Sequence, residues 1–318
     1  MTGNAFARPT RLLAAALFIA GLGAATAADA ADRTIRIGYQ KYGALILLKG
    51  KGTLEAKLKP LGVDVRWAEF QFGPPLLEAI NAGAVDFGTT GEAPPIFAQV
   101  ANPKLVYVAN DPPSAKGEAV LVPANSPIKS LADLKGKTIA VAKGSNSHYL
   151  LVKALEKGGV SYSDIKPAYL APSDARAAFQ NGSVDAWSVW DPYYAAAEVA
   201  GARVLTDGEG LVTNYQFLLS DRSYVEKNAD IIRVLLTELR SVEDWVTKDP
   251  KAAAAELSPA VGIPAPLLEK ALARASLGVG PVTKEVAAQQ QKVADTFLEL
   301  KLIPKPITVS DALAEVSQ

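Results

Sequence analysis

The short unit Gly-x-Val-Asp occurs twice, as Gly83-Ala84-Val85-Asp86 and as Gly182-Ser183-Val184-Asp185, about a hundred residues apart. Each copy follows an apolar helical stretch. Each then leads through a β-like run and a tight turn to a Pro-opened helix, at Pro94-Pro95 and at Pro192. One such unit is a local rule for ending a helix and starting a strand, with the glycine just past the last helical turn. Two of them predict two similar α/β lobes, and a cleft between lobes is where a ligand binds.

The hydrophobic pattern around the repeats agrees. Strands are expected at 33–38, 63–67, 86–88 and 105–109, with helices at 45–58, 74–81 and 95–100 between them. Gly50 and Gly52 weaken the first helix. Residues 111–117 are turn chemistry and mark a crossing point. The pattern then restarts, with strands at 119–122, 138–142, 166–170 and 184–189 and helices at 148–157, 173–180 and 192–200. Residues 216–220 read as a return strand, and the rest is mostly helical, at 230–247, 265–275 and 283–301. Strands alternating with helices imply a mostly parallel sheet in each lobe. The first lobe is expected to comprise residues 32–118 plus 219–318 and the second 119–218, so the chain crosses between them twice.

The 318 residues are enough for two medium domains, and 49% of them are apolar. Formal net charge is zero with the signs interspersed, which excludes the basic face that nucleic acid requires. Residues 1–30 have the form of a secretory signal peptide: Arg8 and Arg11, then an uncharged apolar run at 12–23, then small-x-small sites at Ala25-Thr26-Ala27 and Ala28-Asp29-Ala30. That run is shorter than the ~20 residues of a spanning helix. With no cysteine in the chain, the expectation is a soluble, disulfide-free periplasmic protein, and a monomer.

Catalytic groups are scarce. His148 is the only histidine, and no G-x-S-x-G elbow surrounds Ser145. A lone histidine at a helix start serves as a structural or ligand-contacting group. One histidine and no cysteine argue against zinc, and no metal or cofactor is expected. Gly136-Lys137-Thr138 lacks the first glycine of a P-loop and precedes a strand instead of following one.

Anion binding is better supplied. Gly144-Ser145-Asn146-Ser147 follows a strand and opens a helix, whose first turn leaves backbone N–H groups unpaired. These can hold an oxyanion without a buried cation, with the Ser145 and Ser147 hydroxyls and the Asn146 amide as further donors. The same residues could equally serve only to cap the helix. Gly91 and Glu92 form the matching turn in the first lobe, Glu92 with capping as its alternative role. Trp190 can wall the apolar part of a ligand, Asp191 fits either a ligand contact or a helix cap, and Trp187 reads as core. Gln40 and Lys41 follow the first strand, at the sheet edge where α/β folds bind ligands; Lys41 is an anion attractor or a solvated surface residue.

Taken together, Gly38-Tyr39-Gln40-Lys41, the run from Thr90 to Gln99, the run from Lys143 to His148 and the run from Ala186 to Tyr194 resemble the aliphatic sulfonate-binding proteins of bacterial ABC importers. The resemblance covers essentially the whole chain beyond residue 30. It implies a type II periplasmic-binding-protein fold, two α/β lobes joined by a two-strand hinge. It implies capture of organosulfonates in the cleft for sulfur acquisition, and delivery to an inner-membrane permease driven by a cytoplasmic ATPase. It also places Gln40, Gly91, Glu92, Ser145, Asn146, Ser147, His148, Trp190 and Asp191 at cleft positions. The family commonly has Asp where Glu92 stands and Ser where Asn146 stands. Relatives of the same fold bind taurine, nitrate or thiamine-precursor pyrimidines, and one group synthesises a pyrimidine with Lys and His chemistry. Taurine would need a carboxylate for its ammonium, for which Glu92 or Asp191 is available.

Overall fold

Residues 33–314, together with Met1, are described by the computed structural model. The expected signal peptide, apart from Met1, lies outside the described residues. Ten strands are formed among the described residues: β1 (Arg33–Tyr39), β2 (Val63–Glu69), β3 (Phe87–Gly91), β4 (Leu105–Asn110) and β5 (Glu118–Val122), followed by β6 (Thr138–Val141), β7 (Lys166–Tyr169), β8 (Ala186–Trp190), β9 (Arg203–Asp207) and β10 (Gln216–Asp221). They make two five-stranded sheets, ordered β2-β1-β3-β10-β4 and β7-β6-β8-β5-β9. In each, four strands share one direction and the fourth strand of the order runs antiparallel to them: β10 lies between β3 and β4, and β5 between β8 and β9. The chain therefore enters the second sheet through an interior strand and re-enters the first in the same way.

The helices are α1 (Ala44–Lys51), α2 (Thr53–Leu58), α3 (Gly73–Asn81), α4 (Ala93–Ala101), α5 (Asn146–Lys157) and α6 (Pro172–Gln180). After these come α7 (Tyr193–Val199), α8 (Arg222–Lys227), α9 (Ala229–Lys248), α10 (Pro250–Val261), α11 (Ala265–Leu272) and α12 (Lys284–Glu299). The single helix expected at 45–58 breaks at Gly52, which takes φ 68° and ends α1. Strand β9 and helices α8 and α10 have no counterpart in the sequence reading. β9 alternates weakly and lies half-exposed at a sheet edge, and α10 is alanine-rich with Pro259 inside it.

Both sheets are covered on both faces, which accounts for their nearly continuous apolar strands. In the first, Ile35, Ile37, Phe87 and Val108 meet α1, α2 and α9–α11, while Tyr107, Phe217 and Leu219 meet α3, α4 and α12. In the second, Val120, Ile139 and Val141 pack on α5, and Leu121, Ala140 and the buried Trp187 pack on α6 and α7.

The two repeat units do the same work. Gly83 (φ 70°) and Gly182 (φ 76°) turn the chain out of α3 and α6, a conformation in which a side chain would be strained. Val85 and Val184 are buried in the two cores. The aspartates then staple the coming strand to the preceding parallel one. Asp86 N–H donates to Arg36 O at 2.8 Å, and its carboxylate accepts from Arg36 N and Nε at 2.8 and 2.9 Å. Asp185 N–H donates to Thr138 O at 2.8 Å, and Thr138 N–H donates to the Asp185 carboxylate at 2.7 Å.

Candidate functional site

Strand β3 runs on through Thr89-Thr90-Gly91, a stretch whose sequence reads as a turn, so Gly91 is the last strand residue and Glu92 alone bridges to α4. This places Gly91 beside the start of α5. The Asn146 side chain lies directly against the Gly91 Cα, in the space a Cβ would occupy. The chemistry of α5 thus meets the end of β3 without an intervening side chain.

Gln40, Gly91, Ser145, Asn146 and Trp190 line one small polar cavity, together with Tyr42, Gly73, Pro94 and Gln216. None of the lining residues carries a charge. Half of the ten expected site residues therefore converge. The other five sit around this cavity in supporting places.

Ser145 caps α5. Its hydroxyl donates to Ala142 O at 2.6 Å, accepts from His148 N at 3.3 Å, and lies 3.0 Å from the Ser147 hydroxyl. The two hydroxyls expected as adjustable donors are thus engaged with each other and with the turn. The backbone N–H groups of Asn146 and Ser147, in the first turn, have no acceptor among the described residues, as helix geometry dictates. The two helices of the first sheet that open toward the cavity differ. α3 begins Gly73-Pro74-Pro75 and α4 begins Ala93-Pro94-Pro95, and proline has no N–H to offer. The helix-start donors are concentrated on α5.

His148 is fully buried. Gly144 N–H donates to its Nδ1 at 3.1 Å, and its Nε2 lies 2.7 Å from the Tyr162 hydroxyl. Nδ1 is therefore the unprotonated nitrogen, and Nε2–H faces Tyr162. Burial, with Lys143 nearby, pushes its pKa down to about 4. It holds the Gly144 turn in place and has no free nitrogen for acid–base chemistry.

Glu92 is also fully buried and turned away from the cavity. Its carboxylate accepts from Thr213 Oγ1 at 2.5 Å and from Tyr215 N at 3.1 Å. Burial raises its pKa against the pull of those bonds. Asp191, joined to Pro192 by a cis peptide bond, accepts from Ala195 N at 3.0 Å and pairs with Arg274 Nη1 at 3.3 Å. Burial pushes its pKa up to about 7, opposed by Arg274. Lys41 points its Nζ toward Glu69, 3.9 Å away.

The sequence reading missed Asn214, which joins the cavity to the crossing segments. Its backbone takes φ 50°. Its amide donates to Ser114 O at 2.9 Å, and Ser114 N donates to Asn214 O at 3.3 Å, tying the two crossings together. Its Oδ1 accepts from Asn146 Nδ2 and, at 3.2 Å, from Gln216 Nε2. Tyr42, Gly73, Pro94 and Gln216 were missed too. The recurrence of an X-Pro-Pro helix opening at Gly73 and Ala93 was a signal that could have singled out Gly73 and Pro94.

Two sheets joined by paired crossings, with a polar cavity at the ends of β1, β3, β8 and β10, define a type II periplasmic binding protein. The NMT1/THI5-like family matches residues 59–253. An aliphatic sulfonates-binding protein of Escherichia coli (strain K12) is 44% identical over 92% of each chain. The crystal structure of the periplasmic aliphatic sulphonate binding protein SsuA from Escherichia coli superposes with a TM-score of 0.81, at 44% identity, covering 90% of this chain and 93% of that one. The alkanesulfonate-binding protein SsuA from Xanthomonas axonopodis pv. citri, bound to MOPS, gives 0.84 at 41% identity, covering 88% and 97%. The chain belongs to the aliphatic sulfonate-binding protein family, and it is a binding protein, not an enzyme.

Proposed function

We propose that this chain is the solute-binding subunit of an ABC importer: it captures aliphatic sulfonates between lobes 32–118 plus 219–318 and 119–218, in the periplasm, and hands them to a membrane permease coupled to an ATPase. The observation that carries the reading is the donor set. The cavity is polar and uncharged, and the free N–H groups of Asn146 and Ser147 stand at its α5 side. A sulfonate is a permanent monoanion with three acceptor oxygens. Neutral N–H donors at a helix start suit it, without the desolvation cost of a buried lysine or arginine. The organic tail leaves past Trp190, with Gln40 and Gln216 at the cavity floor.

Taurine fits less well. Its ammonium needs a carboxylate, and neither candidate lines the cavity: Glu92 binds Thr213 and Tyr215 through one oxygen, and Asp191 pairs with Arg274. The test is thermal unfolding with a panel of alkanesulfonates. Ligand at ~1,000 times Kd stabilises by about 4 kcal/mol, and butanesulfonate should outcompete taurine. A shift with neutral or cationic solutes but with no sulfonate would overturn the assignment.

A further inference from the structure

His148 is not the end of its hydrogen-bond chain. Its Nε2 lies 2.7 Å from the Tyr162 hydroxyl, and that hydroxyl lies 3.0 Å from the hydroxyl of Tyr169, a residue 43% exposed. The three side chains come from separate places: the first turn of α5, the short helical turn Tyr162–Asp164 beyond its end, and the last residue of β7. Together they make a continuous path from solvent to the Gly144 turn. Gly144 N–H donates to Nδ1 at 3.1 Å, and one N–H cannot accept from another, so the ring proton is on Nε2. Nε2–H then donates to the Tyr162 oxygen, which leaves the Tyr162 O–H free to donate onward to Tyr169. Burial raises the pKa of the Tyr162 phenol, so it keeps its proton. Lys143, whose Nζ lies 5.4 Å from the centre of the Tyr169 ring, sets a positive charge nearby that disfavours a second proton on His148.

Resting on the sulfonate reading above, we propose that Tyr162 is a positioning residue for the anion site: by accepting from Nε2–H it holds the one His148 tautomer whose Nδ1 can accept from Gly144. Which nitrogen of a neutral imidazole carries the proton is set by the partner of the other nitrogen. The turn depends on that choice. Gly144 sits at φ 74°, and Ser145 N–H is already engaged with Ala142 O at 3.1 Å. With the proton on Nδ1, the ring would confront Gly144 N–H, and the turn would have to rotate away. The unpaired N–H groups of Asn146 and Ser147, the next two residues, would move with it. Tyr162 therefore acts on the ligand through His148 and Gly144, without touching it.

The test combines a nitrogen NMR spectrum with a binding series. The chain has a single histidine, so isotope-labelled protein without its first 30 residues and without a histidine tag reports on this ring alone. The native spectrum should place the proton on Nε2, and a proton on Nδ1 would overturn the proposal. Tyr162→Phe should populate the Nδ1–H tautomer and weaken butanesulfonate binding about fivefold, the worth of one hydrogen bond. Tyr169→Phe should do less, because water can replace a partner lost at an exposed site; a larger loss there than at Tyr162 would contradict the order of the chain. In a His148→Asn background, where an amide oxygen can stand in for Nδ1, Tyr162→Phe should add no further loss. Equal losses in both backgrounds would mean that Tyr162 acts through packing alone, and the proposal would fall. A native chain that binds sulfonate, with tautomer and affinity both unmoved by Tyr162→Phe, overturns the proposal and leaves the sulfonate reading standing. A native chain that binds no sulfonate overturns both. The native spectrum stands even if a variant does not fold.

Discussion

Proton uptake by His148 is coupled to folding, because the folded chain buries the ring neutral with both nitrogens occupied. Its folded pKa of about 4 lies below the ~6.5 of an exposed imidazole. Between those values the unfolded chain binds the proton and the folded chain refuses it. The stability contribution is complete above pH ~6.5 and is lost as pH falls toward 4. Relative to pH 8, the loss at pH 5 attributable to this residue is about 2 kcal/mol. Urea unfolding at both pH values, for the native chain and for His148→Gln, should show that difference shrinking in the variant. Equal pH dependence in the two would contradict the buried neutral ring. The sequence could single out His148, because no other histidine exists. Its partners could not be read there: Tyr162 lies beyond the end of α5, and only the fold brings the two rings together. Glu92 teaches the same lesson in reverse. A carboxylate at a helix start next to a predicted cleft reads as a ligand contact, and only the return of residues 213–215 against it turns it inward.

Among the elements, the contact of β3 with α5 is the tightest point of the site. A methyl group at Gly91 would overlap the Asn146 side chain. Gly91→Ala should therefore weaken sulfonate binding about tenfold or more, within the ~1–3 kcal/mol of an overpacked contact. Asn146→Ser in the same chain should restore most of the loss, because the shorter side chain vacates the space. Calorimetry on the two single variants and the double variant measures the coupling, and additive effects would rule the contact out as the cause. The helix–turn–strand units were legible in the sequence because their signals are local: a left-handed glycine, a buried valine and a strand-stapling aspartate. The paired prolines opening α3 and α4 were legible too, but their consequence was not. That they leave α5 as the main donor becomes apparent only when all three helix starts face one cavity. Strand β9 was illegible because a half-exposed edge strand lacks the alternation that burial on one face imposes.

On the scale of the whole molecule, Arg274, just beyond α11, spans to α7. Its guanidinium pairs with Asp191 at 3.3 Å and with Glu198, and stacks 3.7 Å from the centre of the Tyr194 ring; Lys270 adds a 3.1 Å contact to Glu198. Removing it strands the buried Asp191 carboxylate. Arg274→Leu should cost about 3 kcal/mol in urea unfolding, and Asp191→Asn in the same chain should recover part of it. Arg274→Lys should rescue poorly, because an ammonium cannot bridge two carboxylates and stack at once. A loss under 0.5 kcal/mol would mean that these groups are solvated and uncoupled. The placement of β10 between β3 and β4 also fixes the order in which a growing chain can complete itself. All five strands of the second sheet are in hand by Asp207, whereas β3 and β4 present open edges until residues 216–221 exist. The strand that closes those edges begins with Gln216, which floors the cavity. Competence to hold a ligand therefore cannot precede the synthesis of β10, and no N-terminal fragment ending before it can possess that competence.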